Sequence, residues 1–351
     1  MNKNYSFFGK TLHKQFLTDG EILNYSIKKL FDEPNKAKYH EQEHIFITGL
    51  ARAGTTSLLQ ALDSTSLFGS FRYKYMPFVL YPKLGNFFSK SNKNSLIYKE
   101  RLHGDGLKIN TNSSECLDEP FWIKTIYEKK SFKEELKPHS ISIKIIEGYV
   151  SLLNMYMKIE KKKKLIIKNN NHHLRILSLS SLMRNSKFLV VFRSPVAHAL
   201  SLLNMHIKFL KIHSEDNFSL DYMNMLGHWE FGANKKPFLY EKDQKKLIST
   251  FPDTEIRYWI KQWIFTYKWL LENIDMNERK NIKFICYESL CSSQSYRDKL
   301  LNYLNIKQNS LLFKFSLGIS NSIGLDDYSD DIKYADQIYE KLKNKSELLH
   351  D

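Results

Sequence analysis

Residues 44–64 read HIFITGLARAGTTSLLQALDS, and their order decides the fold. The apolar run 44–50, bounded by glycine, marks a short buried strand, and TTSLLQALDS has helical spacing behind its threonines, so strand, loop and helix follow in turn. Gly49 and Gly54 allow close backbone approach. Successive N–H groups from Ala53 to Ser57 are expected to point at an anion at the helix N-terminus, where the macrodipole also favours negative charge. On this reading Thr55, Thr56 and Ser57 act as caps and hydroxyl donors. A nucleotide triphosphatase loop needs lysine after its second glycine and a carboxylate on a neighbouring strand to hold magnesium. Here Thr55 follows Gly54, and the cation lies inside the loop as Arg52.

Outward from this unit the same alternation continues. KKLIIKNNNH reads as a strand ending in polar residues, LRILSLSSLMR as a helix, KFLVVFRSP as a strand and AHALSLLNMHIKFLK as a helix. Strand and helix in alternation imply a central parallel sheet flanked by helices, a phosphate-loop-like α/β fold. Residues 254–274 form a long aromatic helix, and IKFICYESL is expected as one more strand. The tail from Ser292 reads as helical and polar, and NYSIKKLFDEP as a helix ended by Pro34. One domain over 1–351 is expected, with its core at about 44–290 and helical extensions at 1–43 and 291–351. Residues 66–140 look irregular, a length that points to a binding site. The run Lys161 to Lys164 reads as a solvated turn.

The formal charge is +15, from 53 Lys and Arg against 38 Asp and Glu, which favours anionic partners and is compatible with peripheral membrane contact. The basic residues are scattered and no recognition motif for nucleic acid is evident. Cys116, Cys286 and Cys291 show neither metal-ligand spacing nor a disulfide framework, so no metal is expected and a reducing compartment is. No window approaches the roughly 18 unbroken apolar residues of a membrane span, and the N-terminus lacks a signal-peptide core. A soluble cytoplasmic protein is expected.

A second anion site is readable in FRSPVAHALS. Arg193 closes a strand where magnesium chemistry would ask for Asp, Ser201 lies two helical turns on, and Pro195 suits a helix start. Arginine is suited to bidentate phosphate binding. Two anion sites at two strand ends imply a ligand with two phosphate-bearing positions.

These stretches together resemble the sulfotransferases that use 3′-phosphoadenosine 5′-phosphosulfate. Their 5′-phosphosulfate loop is similar to GLARAGTT, residues 49–56, and their 3′-phosphate site to RSPVAHALS, residues 193–201. YESL at 287–290 is a frequent late-strand signature there, while HGDG, SSECLDEPFW and LGHWEFGANKKPF resemble a bacterial branch. The resemblance implies a transferase that moves a sulfuryl group to an acceptor hydroxyl on a carbohydrate, glycolipid or metabolite, by metal-free in-line displacement. Donor contacts would come from Gly49, Arg52, Ala53, Gly54, Thr55, Thr56, Ser57, Arg193 and Ser201. Arg52 would stabilise charge on the bridging and sulfuryl oxygens, and Lys168 resembles the lysine set on the sulfuryl or leaving oxygens. The family's usual post-loop glutamate is missing from SFRYKYMPF. His103 in RLHGDG is the candidate base, because imidazole titrates near neutrality, with Asp105, Glu115, Asp118 and Glu119 as rivals. Arg72 and Lys74, with Tyr73, Tyr75 and Tyr81, are candidates for an acceptor cleft, and 228–238 for a lid or acceptor loop. A phosphate-loop kinase with a degenerate loop is the alternative reading, disfavoured by Thr55 and Arg193, and a basic nucleic-acid-binding protein is the more distant one.

Overall fold

The computed structural model describes residues 7–18, 20–32, 39–89, 99–100, 108–127, 133–307 and 329–347. Strand β1 (Ile45–Thr48) is buried at every position. A strand covered on both faces has no use for polar alternation, which is why IFIT reads as a continuous apolar run. The other strands are β2 (Gly69–Ser70), β3 (Lys99–Glu100), β4 (Lys108–Ile109), β5 (Leu165–Lys168), β6 (Lys187–Phe192) and β7 (Ile282–Cys286). Of the seven strands among the described residues, five form a parallel sheet in the order β2-β5-β1-β6-β7, and β3 pairs antiparallel with β4. Across the sheet, Phe46 on β1 stacks on Phe188 on β6 with ring centroids 4.8 Å apart.

Helices cover this sheet as the alternation requires. Thr55–Asp63 packs on β1 and β5, and Ile143–Glu160 on β2 and β5. The aromatic helix Ile256–Asn273 buries Trp259, Trp263 and Tyr267, which share one ridge because they are four residues apart. Two of these ring systems reach the ends of the strands. Trp263 Nε1 donates to Arg193 O at 3.1 Å, and the Tyr267 hydroxyl donates to Val191 O at 2.9 Å.

Two sequence expectations change at the C-terminal end. IKFICYESL is not a single strand: β7 stops at Cys286, and Tyr287–Ser292 is helical. Cys286 pairs with Phe192, the last residue of β6, so the ladder ends where its partner does. The tail is helical but not uniformly polar. Its helix Ser329–Ser346 buries Ala335, Ile338 and Leu342 and packs on β7 and on Ile256–Asn273. One narrow apolar stripe is enough to dock it, and average composition hides such a stripe.

Arg72 does not line an acceptor cleft. Its guanidinium donates to Asp63 Oδ1 at 2.8 Å, Glu160 Oε2 at 2.7 Å and Asn112 O at 2.7 Å, which ties the long 66–140 region to two helices. Lys74 pairs with Glu160 at 3.1 Å, and Tyr75 is fully buried with its hydroxyl on the same carboxylate. The cations expected to hold an acceptor are engaged inside the fold instead.

A polar cluster lies in the core beyond β5. Asp118 accepts from Tyr149 OH at 2.8 Å, Trp122 Nε1 at 3.1 Å and Asn169 Nδ2 at 2.9 Å, and His172 Nε2 lies 3.2 Å from it. Glu119 takes Asn169 Nδ2 at 2.6 Å and an ion pair with Arg175, whose guanidinium lies 4.4 Å from the Trp122 ring centroid. Asp118, Glu119 and Arg175 are completely buried. Breaking such a pair strands a charge in low dielectric, so Arg175→Ala is expected to destabilise the protein by about 3–5 kcal/mol in denaturant unfolding; a loss below about 1 kcal/mol would contradict this account.

Candidate active site

The C-terminal ends of β5, β1, β6 and β7 lie side by side, so the residues following them share one edge of the sheet. In open parallel sheets that edge is where ligands bind. The loop after β1 is shaped by close approach. Gly49 has φ +136°, and a Cβ there would lie 2.2 Å from Val191 O; Gly54 has φ +98°, and a Cβ there would lie 2.2 Å from the Tyr287 ring. Arg52 also takes a left-handed φ of 71°, at a cost of about 1–2 kcal/mol for a residue with a side chain.

The hydroxyls behave differently from expectation. The helix Thr55–Asp63 begins at Gly54 and has no side-chain cap. Thr55 Oγ1 donates to Asn170 Oδ1 at 3.2 Å instead, Thr56 is buried, and Ser57 is hydrogen-bonded to the Tyr287 side chain. Ala53 N closes the turn on Leu50 O at 3.2 Å, so this amide is spent within the loop. An uncapped helix start leaves first-turn N–H groups available to an anion.

Support comes from behind the loop. His198 Nε2 donates to Ala51 O at 2.7 Å, and Leu50 N donates to the Tyr267 hydroxyl at 3.3 Å. Burial, followed by the nearby Arg193 and Arg52 charges, holds the His198 imidazole down to about 3, so it serves as a neutral prop. Pro195 occupies the first turn of helix Pro195–Glu215 as expected, and Glu288 Oε1 accepts from Ser194 N at 2.9 Å. Arg193 is half-buried, its guanidinium is 5.9 Å from the Tyr287 ring centroid, and its Nε is buried without a hydrogen-bond partner among the described residues. Arg52 Nε donates to Ser201 Oγ at 3.3 Å. The sequence assigns these two residues to separate anions; in the folded chain they touch.

Lys168, at the end of β5, is buried and donates to Glu115 Oε1 at 3.0 Å. Burial opposes its charge, but Glu115 outweighs that and raises the Lys168 pKa. Three rivals for the base are therefore placed: Glu115 is paired with Lys168, while Asp118 and Glu119 sit in the core cluster, without solvent access for a substrate. His103 and Asp105 lie outside the described residues.

Sequence reasoning passed over Asn170, Glu230 and His228 as individual residues. Asn170 Nδ2 donates to Glu230 Oε1 at 2.8 Å, and Glu230 Oε2 is 3.7 Å from His228 Nδ1. Burial would push the Glu230 carboxyl up, yet His228 and Asn170 hold it down to about 2. The one signal was the His-x-Glu spacing in LGHWEFGANKKPF. Glu230 lines a small cavity beside Leu50 and Ala51, walled by Phe238, Tyr258 and Trp259 with Lys235 and Lys236 at its side. Segment 228–238 is pinned rather than loose: Gly232 N donates to His206 Nδ1 at 3.0 Å, Ala233 N to His213 Nδ1 at 3.1 Å and Phe238 N to Gln262 Oε1 at 2.8 Å.

A phosphate-loop-like sheet with cations at the ends of three strands is the class that fold and site define. The chain belongs to the sulfotransferase family, whose family model matches residues 44–247, more than half of its length. Among solved structures, the sulfotransferase STF9 from Mycobacterium avium is similar in fold, with a TM-score of 0.50 and 11% identity over 95% of this chain and 83% of that one. Sulfotransferase STF1 from Mycobacterium tuberculosis H37Rv aligns with a TM-score of 0.44 and 11% identity over 92% of this chain and 82% of that one. A sulfotransferase from Alicyclobacillus acidocaldarius aligns with a TM-score of 0.40 and 15% identity over 87% and 96%. No curated protein matches the sequence. No helix among the described residues is long and apolar enough to cross a membrane.

The buried imidazoles give the protein's stability a pH signature. Burial lowers His198 and His44 to about 3 and His173 to about 4, from an ordinary value of 6.5. Below pH 6.5 the unfolded chain takes up protons that the native state refuses, so stability is full above that pH and falls as pH drops toward 4. Calorimetric melting points should decline steadily across that interval. A melting point unchanged from pH 7 to pH 5 would contradict the neutral, buried state of these side chains.

Proposed function

We propose that the protein transfers the sulfuryl group of 3′-phosphoadenosine 5′-phosphosulfate to an acceptor hydroxyl on a carbohydrate or glycolipid, with adenosine 3′,5′-bisphosphate as the other product. The observation that carries this reading is a pair of cationic sites after adjacent strands. One is an uncapped helix start with Arg52 after β1, and the other is Arg193, with its orphaned Nε, after β6. A nucleoside with phosphates at two positions matches two such sites.

On this reading the loop from Gly49 to Ser57, with Arg52, Gly54, Thr55 and Thr56 foremost, surrounds the 5′-phosphosulfate. Arg193 and Ser201 hold the 3′-phosphate. The donor supplies a sulfuryl group already bonded to a phosphate leaving group. Because the displacement spreads negative charge over oxygens, the chain's work is positioning and electrostatic stabilisation. Arg52 suits this role, since a guanidinium keeps its charge and offers a planar fork of donors. Lys168 has three N–H donors, and Glu115 occupies one of them, leaving others for sulfuryl or leaving oxygens. The carbohydrate acceptor comes from the family resemblance alone, because the cavity beside Leu50 and Ala51 has room for only about one water molecule. A cytoplasmic setting belongs to the same proposal, and Cys116, Cys286 and Cys291 are all free.

Adenosine 3′,5′-bisphosphate is expected to raise the melting point and ATP-magnesium to leave it unchanged; a shift with ATP-magnesium alone would replace this reading with a kinase. Arg52→Ala should cut turnover of radiolabelled donor by about 10²- to 10³-fold, as removal of a charge-stabilising donor does. Arg193→Ala should weaken binding of adenosine 3′,5′-bisphosphate far more than that of adenosine 5′-phosphosulfate, which lacks the 3′-phosphate. Equal losses in titration calorimetry would remove Arg193 from that site.

A further inference from the structure

Glu230 is a buried carboxylate whose Oε2 makes no hydrogen bond among the described residues, and nothing in the donor-binding scheme uses it. Its other oxygen is anchored to the loop helix through one side chain. Asn170 receives Thr55 Oγ1 at 3.2 Å and gives Nδ2 to Glu230 Oε1 at 2.8 Å. The free oxygen faces His228 Nδ1 at 3.7 Å, and the His228 side chain is 23% exposed while that of Glu230 is 5% exposed. At 3.7 Å the buried carboxylate is beyond hydrogen-bond reach, but its charge favours the tautomer with the proton on the near nitrogen, Nδ1, and leaves the outer nitrogen as an acceptor for a proton.

The backbone around His228 is fixed by hydrogen bonds. Its N–H donates to Met223 O at 2.9 Å, and its carbonyl accepts from Asn234 Nδ2 at 3.3 Å. Just before it, Gly227 has φ +67°, its carbonyl takes Asn171 Nδ2 at 3.2 Å, and a Cβ there would lie 2.5 Å from Glu119 Cγ. The polar run after β5 thus holds the His228 segment on one side and the phosphate loop on the other.

The geometry points to His228 as the base that takes the acceptor's hydroxyl proton, with Glu230 as its positioning residue, an inference that rests on the sulfuryl-transfer reading. The acceptor oxygen forms its bond to sulfur as the bond from sulfur to the bridging oxygen breaks. The electron pair leaves with the nucleotide phosphate, and the hydroxyl proton passes to His228 Nε2. Imidazolium so formed faces the Glu230 carboxylate, which stabilises it.

Two measurements test this. Histidine ¹⁵N NMR of the unliganded protein should place the His228 proton on Nδ1, a preference that Glu230→Gln loses. A proton resident on Nε2 in the wild type would overturn the proposal. With 3′-phosphoadenosine 5′-phosphosulfate as donor and water as surrogate acceptor, His228→Ala should slow release of inorganic sulfate by about 10²-fold or more. Its affinity for adenosine 3′,5′-bisphosphate should stay within about twofold, and added imidazole should restore part of the rate, which a merely structural loss would not show. Unchanged release, or a loss that imidazole does not restore, would move the base elsewhere, His103 included. Should the wild type neither bind the bisphosphate nor consume the donor, the donor reading itself fails, and the NMR result still judges the dyad.

Discussion

A single hydroxyl, that of Tyr267, ties the loop after β1 to the strand beside it. It donates to Val191 O and accepts from Leu50 N, while Gly49 packs so tightly on the same carbonyl that a Cβ would lie 2.2 Å away. Loop and strand must be in contact before Arg52 and Arg193 can share an edge of the sheet. The aromatic helix supplies that hydroxyl and the Trp263 bond to Arg193 O, so a hydrophobic ridge far along the chain sets the spacing of the two cations.

Cations gathered at one edge repel each other, and burial makes the repulsion worse. The fold manages this selectively. Lys168 is given Glu115 as a buried counter-charge, and His198, close to both arginines, stays neutral. Arg193 keeps an Nε with no hydrogen-bond partner among the described residues. A buried donor left without a partner is costly, and an anionic ligand that supplies one recovers that cost on binding.

Much of this was legible along the chain. Parallel strands buried on both faces are continuous apolar runs, and helices with one apolar stripe show their period, so β1, β5, β6 and their helices could be read directly. Glycines flanking an arginine announced a loop that approaches something closely. Failures came wherever a side chain found a distant partner. Thr55 looks like a helix cap by its position, but its hydroxyl goes to Asn170, which is remote in sequence. Arg72 and Lys74 look available for a ligand until Asp63 and Glu160 are seen beside them. Tyr287 reads as the continuation of a strand because nothing local says that β6, its partner, has already ended.

Period and punctuation along the sequence determined the α/β class, the glycine loop after β1 and the strand-end cations, because each depends on residues within a turn or two of one another. Tertiary structure alone decided that Arg52 meets Ser201, that Asp118 and Glu119 belong to the core, and that Glu230 stands between Asn170 and His228. The physical reason is the same in each case. A charged or polar side chain acquires its role from the partner that satisfies it, and in this sheet the partners arrive from strands and helices far apart in the chain.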